Sequence, residues 1–308
     1  MSVINVTKAE HVANTGRKAP ASPWRMALHR FTRNKLALIG LFILAIMFLI
    51  CFFGPLFSPY KLYDYQLSMK NKPPSSAHWL GTDSLGRDIL LRMMLAGRIS
   101  LLVGIISTTI AVIIGATLGS LAGFYRKATD TIIMRITDIF MAIPTLPILI
   151  ILGAVLSDLK VDPRYRIYYL MLIIGVLAWT GLARLVRGQI LALREMEYMQ
   201  AVEALGIRDK RKIFRHLLPN TIPIIIVSAT LGVAGAILYE SALSYLGIGV
   251  VPPTPSWGNM IAEANDMIVF RKRPWLWIPP GICILITVVA INLIGDGLRD
   301  ALDPKTKK

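Results

Sequence analysis

Six stretches of this chain are almost free of charge and dense in Leu, Ile, Val, Ala and Phe: residues 36–57, 101–123, 139–155, 167–182, 222–246 and 278–294. About 20 apolar residues of helix cross the hydrocarbon core of a bilayer. The third and fourth stretches fall short of that, so their ends are expected to shift by several residues. Lipid offers no partner to a backbone N–H or C=O, and these runs are too long for the strands of a barrel, so each reads as a helix. The pattern predicts an all-α polytopic membrane protein of about six transmembrane helices.

The polar segments order the remainder. An even number of spans puts both termini on one side. That side, with the loops 124–138 and 183–221, holds 22 of the 34 Lys and Arg, against 12 on the other side. Positive charge accumulates on the cytoplasmic side of membrane proteins, so both termini are expected in the cytoplasm. The resulting division is a cytoplasmic tail and interfacial basic helix over 1–35, a first span over 36–57 and an extracytoplasmic loop over 58–100. A transmembrane core over 101–298 follows, holding a cytoplasmic loop at 184–220, and a tail over 299–308 ends the chain. The first 22 residues read as a flexible tail, and 24–35, basic with interleaved apolar residues, as a helix lying on anionic lipid. In the second long outer loop, Met260, Ile261, Ala264, Met267 and Ile268 share one helical face, which predicts a short helix over 257–270.

Composition narrows the class. With 55% hydrophobic and 17% charged residues the chain lacks the polar surface a soluble protein of 308 residues needs. The net charge of +16 is the topological signal already described, so nucleic acid is not an expected partner. Cys51 and Cys283 lie inside predicted spans, without metal or disulfide spacing. The four histidines are dispersed, so no metal site is expected.

The charged segment at 200–220 is the most informative. Ala201, Ala204 and Leu205 fall on one helical face, Gly206 suits a left-handed helix terminus, and Asp209 is a candidate N-cap for a second helix. In that helix Ile213, Phe214, Leu217 and Leu218 form an apolar stripe that Pro219 is expected to close. The residues themselves leave two readings, a hairpin on which another protein docks and a solvated amphipathic linker.

At these positions the chain resembles the "EAA" loop of membrane subunits of binding-protein-dependent ABC importers. That motif runs Glu-Ala-Ala, three residues, Gly, nine residues, Ile-x-Leu-Pro. Here Gly206, Leu218 and Pro219 stand at the matching spacing, with Gln200 where Glu is usual, Val202 at the second Ala and His216 at the Ile. Further segments are similar to the C-type permease of the oligopeptide/dipeptide/nickel branch: Trp24 to Lys35 with the first span, 80–88, 135–144, 240–247, 253–258 and 295–304. The resemblance implies a type I ABC importer permease fold. It also implies a homologous second permease subunit, two ATPase subunits and an extracytoplasmic substrate-binding protein in a bacterial or archaeal cytoplasmic membrane. In that assembly Gln200, Ala201, Glu203, Ala204, Leu205, Gly206, His216, Leu218 and Pro219 would form the ATPase-coupling element.

No Gly-x-x-x-x-Gly-Lys-Ser/Thr sequence occurs in the chain. The chain is therefore expected to be non-catalytic and to hold no cofactor, with ATP and Mg bound by the partner subunits. Glu240, ionisable at membrane depth, is a candidate for the translocation pathway, with its neighbours Tyr239 and Ser241. Thr82, Asp83, Arg87 and Asp88 are candidates for docking the binding protein or for bracing the outer loop. Gly115, Gly119 and Gly123 recur every fourth residue, the spacing of close helix packing. Pro144 and Pro147 are expected to bend the third span, and Asp130 and Asp138 to pair locally with Arg135. Transport of nickel complexes, a stand-alone ion-coupled secondary transporter and a membrane scaffold are the competing readings.

Overall fold

The computed structural model describes residues 23–302. The expected tail over 1–22 and the last six residues of the chain lie outside the described residues. Twelve α-helices follow one another among them: α1 (Pro23–Phe31), α2 (Lys35–Phe53), α3 (Ile89–Tyr125), α4 (Lys127–Ala142), α5 (Thr145–Asp158), α6 (Pro163–Arg194), α7 (Glu197–Ala204), α8 (Asp209–Arg211), α9 (Leu218–Tyr245), α10 (Trp257–Ile261), α11 (Met267–Lys272) and α12 (Ile278–Leu302). Five helical segments are long and apolar enough to cross a bilayer, or six if the bent pair α4 and α5 counts as one span. An isolated bridge between Thr82 and Asp88 is the one β contact among the described residues.

Asn34 caps α2, its side chain accepting from the Ala37 amide at 3.1 Å. α2 is apolar all round, and only Ala37, Gly40 and Cys51 are buried; its other faces are suited to lipid. It leans on α12 so closely that a Cβ on Gly40 would stand 2.7 Å from the Ala290 carbonyl oxygen. α1 rests on the far end of α12, beside Gly297.

The second span is longer than its apolar run. Asp88 caps α3, accepting from the Leu91 amide at 2.8 Å, so the helix starts at residue 89 and not 101. Its 37 residues extend about 55 Å at 1.5 Å per residue, well past the hydrocarbon core. Gly115, Gly119 and Gly123 form its seam with α6 within this chain. A Cβ at Gly119 would meet the Ala183 carbonyl oxygen at 2.5 Å, and one at Gly123 the Ile190 Cβ at 2.8 Å. Gly175 of α6 returns the fit against Ser107 and Ile110.

The third span is broken rather than continuous. α4 and α5 meet at 81°. Ile143, extended at φ −91° and ψ 125°, precedes Pro144, whose ring disfavours the helical region for the residue before it. Asp130 and Asp138 do not pair with Arg135. Asp130 takes two hydrogen bonds from Arg187, at 3.0 and 2.6 Å, and Asp138 one from Arg184 at 2.5 Å. The local pairing lost because α4 lies alongside α6, which offers two arginines on the facing side.

The expected helix over 257–270 is two helices, α10 and α11, joined by a 3-10 turn and a fresh N-cap at Asp266. Met260 is buried while Met267 and Ile268 are exposed, so the single apolar face does not form. α12 runs to Leu302.

Candidate functional site

The charged segment folds into a hairpin built from α7 and α8. Met199 and Val202 are the buried residues of α7, and they join Phe124, Val186, Ile190, Ile213 and Leu217 in one apolar cluster. Val202, which replaces an alanine of the resembled motif, is therefore a base residue of the hairpin. The opposite side of α7 faces out: Gln200, Ala201, Glu203, Ala204 and Leu205 are all exposed. Leu205 is 76% exposed at the tip, and Gly206 follows in the left-handed region at φ +64° with nothing within 4 Å of where a Cβ would stand. Glu203 leans toward Arg194 at 4.0 Å.

The second arm departs from the sequence expectation in three ways. Asp209 is the first helical residue, after the cap position at Arg208. Pro219 does not end the helix. A π-helical turn over Lys212–Leu217 carries the chain directly into α9, with Leu218 and Pro219 as its first residues. Pro219, which has no N–H to donate, falls where the π-helical turn gives way to α-helix and the hydrogen-bond register changes. The wider turn buries Ile213 and Leu217 and turns Phe214 outward, with His216 half-buried. The second arm of the hairpin is thus continuous with the fifth span.

An exposed ion pair and a side-chain hydrogen bond to the backbone lie beside the hairpin. Arg126 bonds Glu195 and Arg194 bonds the Phe124 carbonyl. The Arg126 guanidinium holds the Glu195 carboxyl below the usual carboxylate range. Burial pushes the Tyr198 hydroxyl up from its ordinary value, opposed by its bond to Asn220.

Along α9 runs a groove. One part, of about 300 Å³, lies between α3, α6 and α9 and is lined by Ser107, Thr108, Gly181, Gly235 and Tyr239 among others. A second part, of about 720 Å³, lies between α6, α9 and α12, with Gln189, Asn220 and Arg299 at its mouth. Leu185 and Ser228 line both. Asn220 and Tyr239 are 19 residues apart in the chain, about 28 Å of helix, close to the thickness of a bilayer core.

Tyr239 lines this groove and its two neighbours do not. Glu240 is 0% exposed and accepts from the Ser100 hydroxyl at 2.8 Å and the Ser244 hydroxyl at 2.7 Å. Those serines in turn take the Trp257 and Val250 amides, at 3.3 and 2.9 Å. Glu240 thereby ties α3, α9 and α10 together. Ser241 is buried where α10 crosses, its backbone 2.6 Å from the Cβ position of Gly258.

At the end of the molecule away from the hairpin, Thr82, Asp83, Arg87 and Asp88 are buried together. Asp83 accepts from Arg87 Nε at 2.6 Å and from an Arg92 guanidinium nitrogen at 2.7 Å, and that nitrogen also bonds Glu263 at 3.0 Å. His78 Nδ1 lies 2.9 Å from Asp88, and Thr82 bonds the Met69 carbonyl. Burial raises the Glu263 carboxyl above its ordinary value, and Arg92 draws it back. Sequence reasoning missed Arg92 and Glu263, which are 171 residues apart, and no local spacing signals such a pair. Arg166 was missed as well. It clamps α5 to the loop after α9, donating to the Gly153 and Ile248 carbonyls at 3.2 and 2.9 Å.

Comparison with known proteins agrees with this architecture. Residues 115–308 match the family described as binding-protein-dependent transport system inner membrane component, and residues 22–74 the N-terminal transmembrane domain of oligopeptide transport permease C. The chain is 41% identical over 292 residues to the oligopeptide transport system permease protein OppC of Bacillus subtilis, covering 94% of this chain and 92% of that one. It is 41% identical over 286 residues to the dipeptide transport system permease protein DppC of Alkalihalophilus pseudofirmus, with 93% and 91% covered. It is 40% identical over 293 residues to the glutathione transport system permease protein GsiD of Pectobacterium atrosepticum, with 94% of each covered. A multi-pass helical chain with a grooved α9 and a projecting hairpin, matched over nearly its whole length, belongs to the family of inner-membrane components of binding-protein-dependent transport systems.

Proposed function

We propose that this chain is one of two homologous permease subunits of an ATP-driven importer of peptides in a bacterial or archaeal cytoplasmic membrane. The hairpin carries the proposal. Its base is locked into the apolar cluster of α3, α6 and α9, yet its tip presents Ala201, Ala204, Leu205 and Gly206 to solvent. An exposed leucine beside small residues suits insertion into a groove on another protein. The names of the relatives support a peptide substrate.

In this reading the hairpin lies in the cytoplasm and docks on one of two ATPase subunits, which bind ATP and Mg. The chain itself catalyses nothing. The second arm of the hairpin is continuous with α9, so a rigid-body shift of the docked tip acts directly on the helix that lines the groove. The groove is half of the translocation pore, with Tyr239 on its wall and Glu240 and Ser241 fixing the helices behind it. The sister permease supplies the facing half. The substrate-binding protein docks on the opposite side of the membrane, against the loop that Thr82, Asp83, Arg87 and Asp88 brace from within.

Reconstitution tests this. Purified alone, the chain should hydrolyse no ATP. With a sister permease, two ATPases and the binding protein in liposomes, it should take up peptide only when ATP is supplied. Robust uptake by the chain alone, driven by an ion gradient without ATP, would overturn the reading.

A further inference from the structure

Helix interiors disfavour glycine unless something requires it. Gly115, Gly119, Gly123 and Gly175 have such a reason, because a Cβ at any of them would meet the facing helix within 3 Å. Gly181 of α6 and Gly235 of α9 have none: nothing stands within 4 Å of either Cβ position. Both line the same 300 Å³ part of the groove, a volume at the lower end of small-molecule cavities. That part of the lining holds no Asp, Glu, Lys, Arg or His. Thr108 also lines it, is only 8% exposed, and its hydroxyl has no hydrogen-bond partner among the described residues.

We infer that Gly181 and Gly235 set the width of the translocation pathway and so the size of peptide side chain that passes. This rests on the importer reading. Discrimination here is steric, since the wall offers no countercharge to a charged side chain. The Thr108 hydroxyl is enclosed beside Gly232 of α9 and offers the wall no polar contact. Leucine at either glycine enters open space, so the helix seams stay intact while the free cross-section of the groove shrinks.

The test uses the complete transporter in liposomes, wild type and Gly181→Leu/Gly235→Leu, with ATP-dependent uptake of triglycine and of tri-tryptophan measured side by side. The ratio of triglycine to tri-tryptophan uptake should rise by about tenfold, the scale expected of overpacking in a tight site. Gly181→Ala/Gly235→Ala should shift it in the same direction by less. An unchanged ratio in the leucine variant would overturn the inference. So would loss of the sister permease from the purified complex in both the leucine and the alanine variants, which would assign these glycines to subunit packing. Uptake of both peptides without ATP, driven by an ion gradient, refutes the importer reading itself, and this inference with it.

Discussion

Replacing Gly206 with valine isolates the geometry of the hairpin tip. The residue sits at φ +64° with open space around its Cβ position, so the substitution introduces no clash and acts through backbone conformation alone. The left-handed region costs an L-residue roughly 1–2 kcal/mol, and a β-branched side chain is a particular outlier there. At about 2 kcal/mol the population of the observed turn, relative to a competing one, falls roughly 30-fold, since 1.4 kcal/mol is a factor of ten. The base of the hairpin, held by Met199, Val202, Ile213 and Leu217, is untouched. The expected outcome is normal membrane insertion and thermal stability with ATPase affinity for the purified permease reduced by one to two orders of magnitude. ATP-dependent uptake should fall in parallel. Asparagine, which tolerates the left-handed region far better, should retain most of the binding. Equal ATPase affinity for the valine variant and wild type, or an asparagine variant as defective as valine, would refute the reasoning.

Other perturbations address the scaffold. Gly119→Leu should fail to assemble a stable fold, because its Cβ would stand 2.5 Å from the backbone oxygen of Ala183; overpacking of this kind costs about 1–3 kcal/mol or more, and the melting temperature in detergent reads it. Asp83→Asn leaves Arg87 and Arg92 buried without their shared carboxylate. Breaking a buried pair costs about 3–5 kcal/mol, and proteolysis of the 58–88 loop should become faster. Glu263 titrates above its ordinary value because of burial. Between that ordinary value of 4.5 and the raised one the folded loop holds a proton that the unfolded chain has released. Stability of the 257–265 segment should therefore decline as pH rises through this window, as read by hydrogen exchange, and Glu263→Gln should remove that dependence.

Much of this molecule was legible locally. Apolar runs marked the helices long enough to cross a bilayer, because a helix facing lipid must be largely apolar whatever it packs against. The small-residue face of α7 and the turn at Gly206 followed from helical spacing and from the one residue type at ease with positive φ. The spacing of Gly115, Gly119 and Gly123 announced a close seam. What the chain could not declare by itself were the facing surfaces. That the glycine seam belongs to α6, that Asp130 and Asp138 choose Arg187 and Arg184 over Arg135, and that Arg92 reaches Glu263 all depend on segments brought together from 46 to 171 residues away. Pro144 signalled a bend, but the 81° angle comes from where α4 and α5 find their partners. Pro219 read as a stop and became the first turn of a span, because a π-helical turn lets the hairpin run on into the membrane. Tyr239, Glu240 and Ser241, adjacent in sequence, were separated by helical rotation into one groove-lining residue and two buried ones. Local pattern determined the elements and the turn at the tip, since those depend on each residue's own conformational and solvation preferences. Tertiary structure decided the ion pairs, the broken span and the groove, since each is made of surfaces that exist only when distant helices meet.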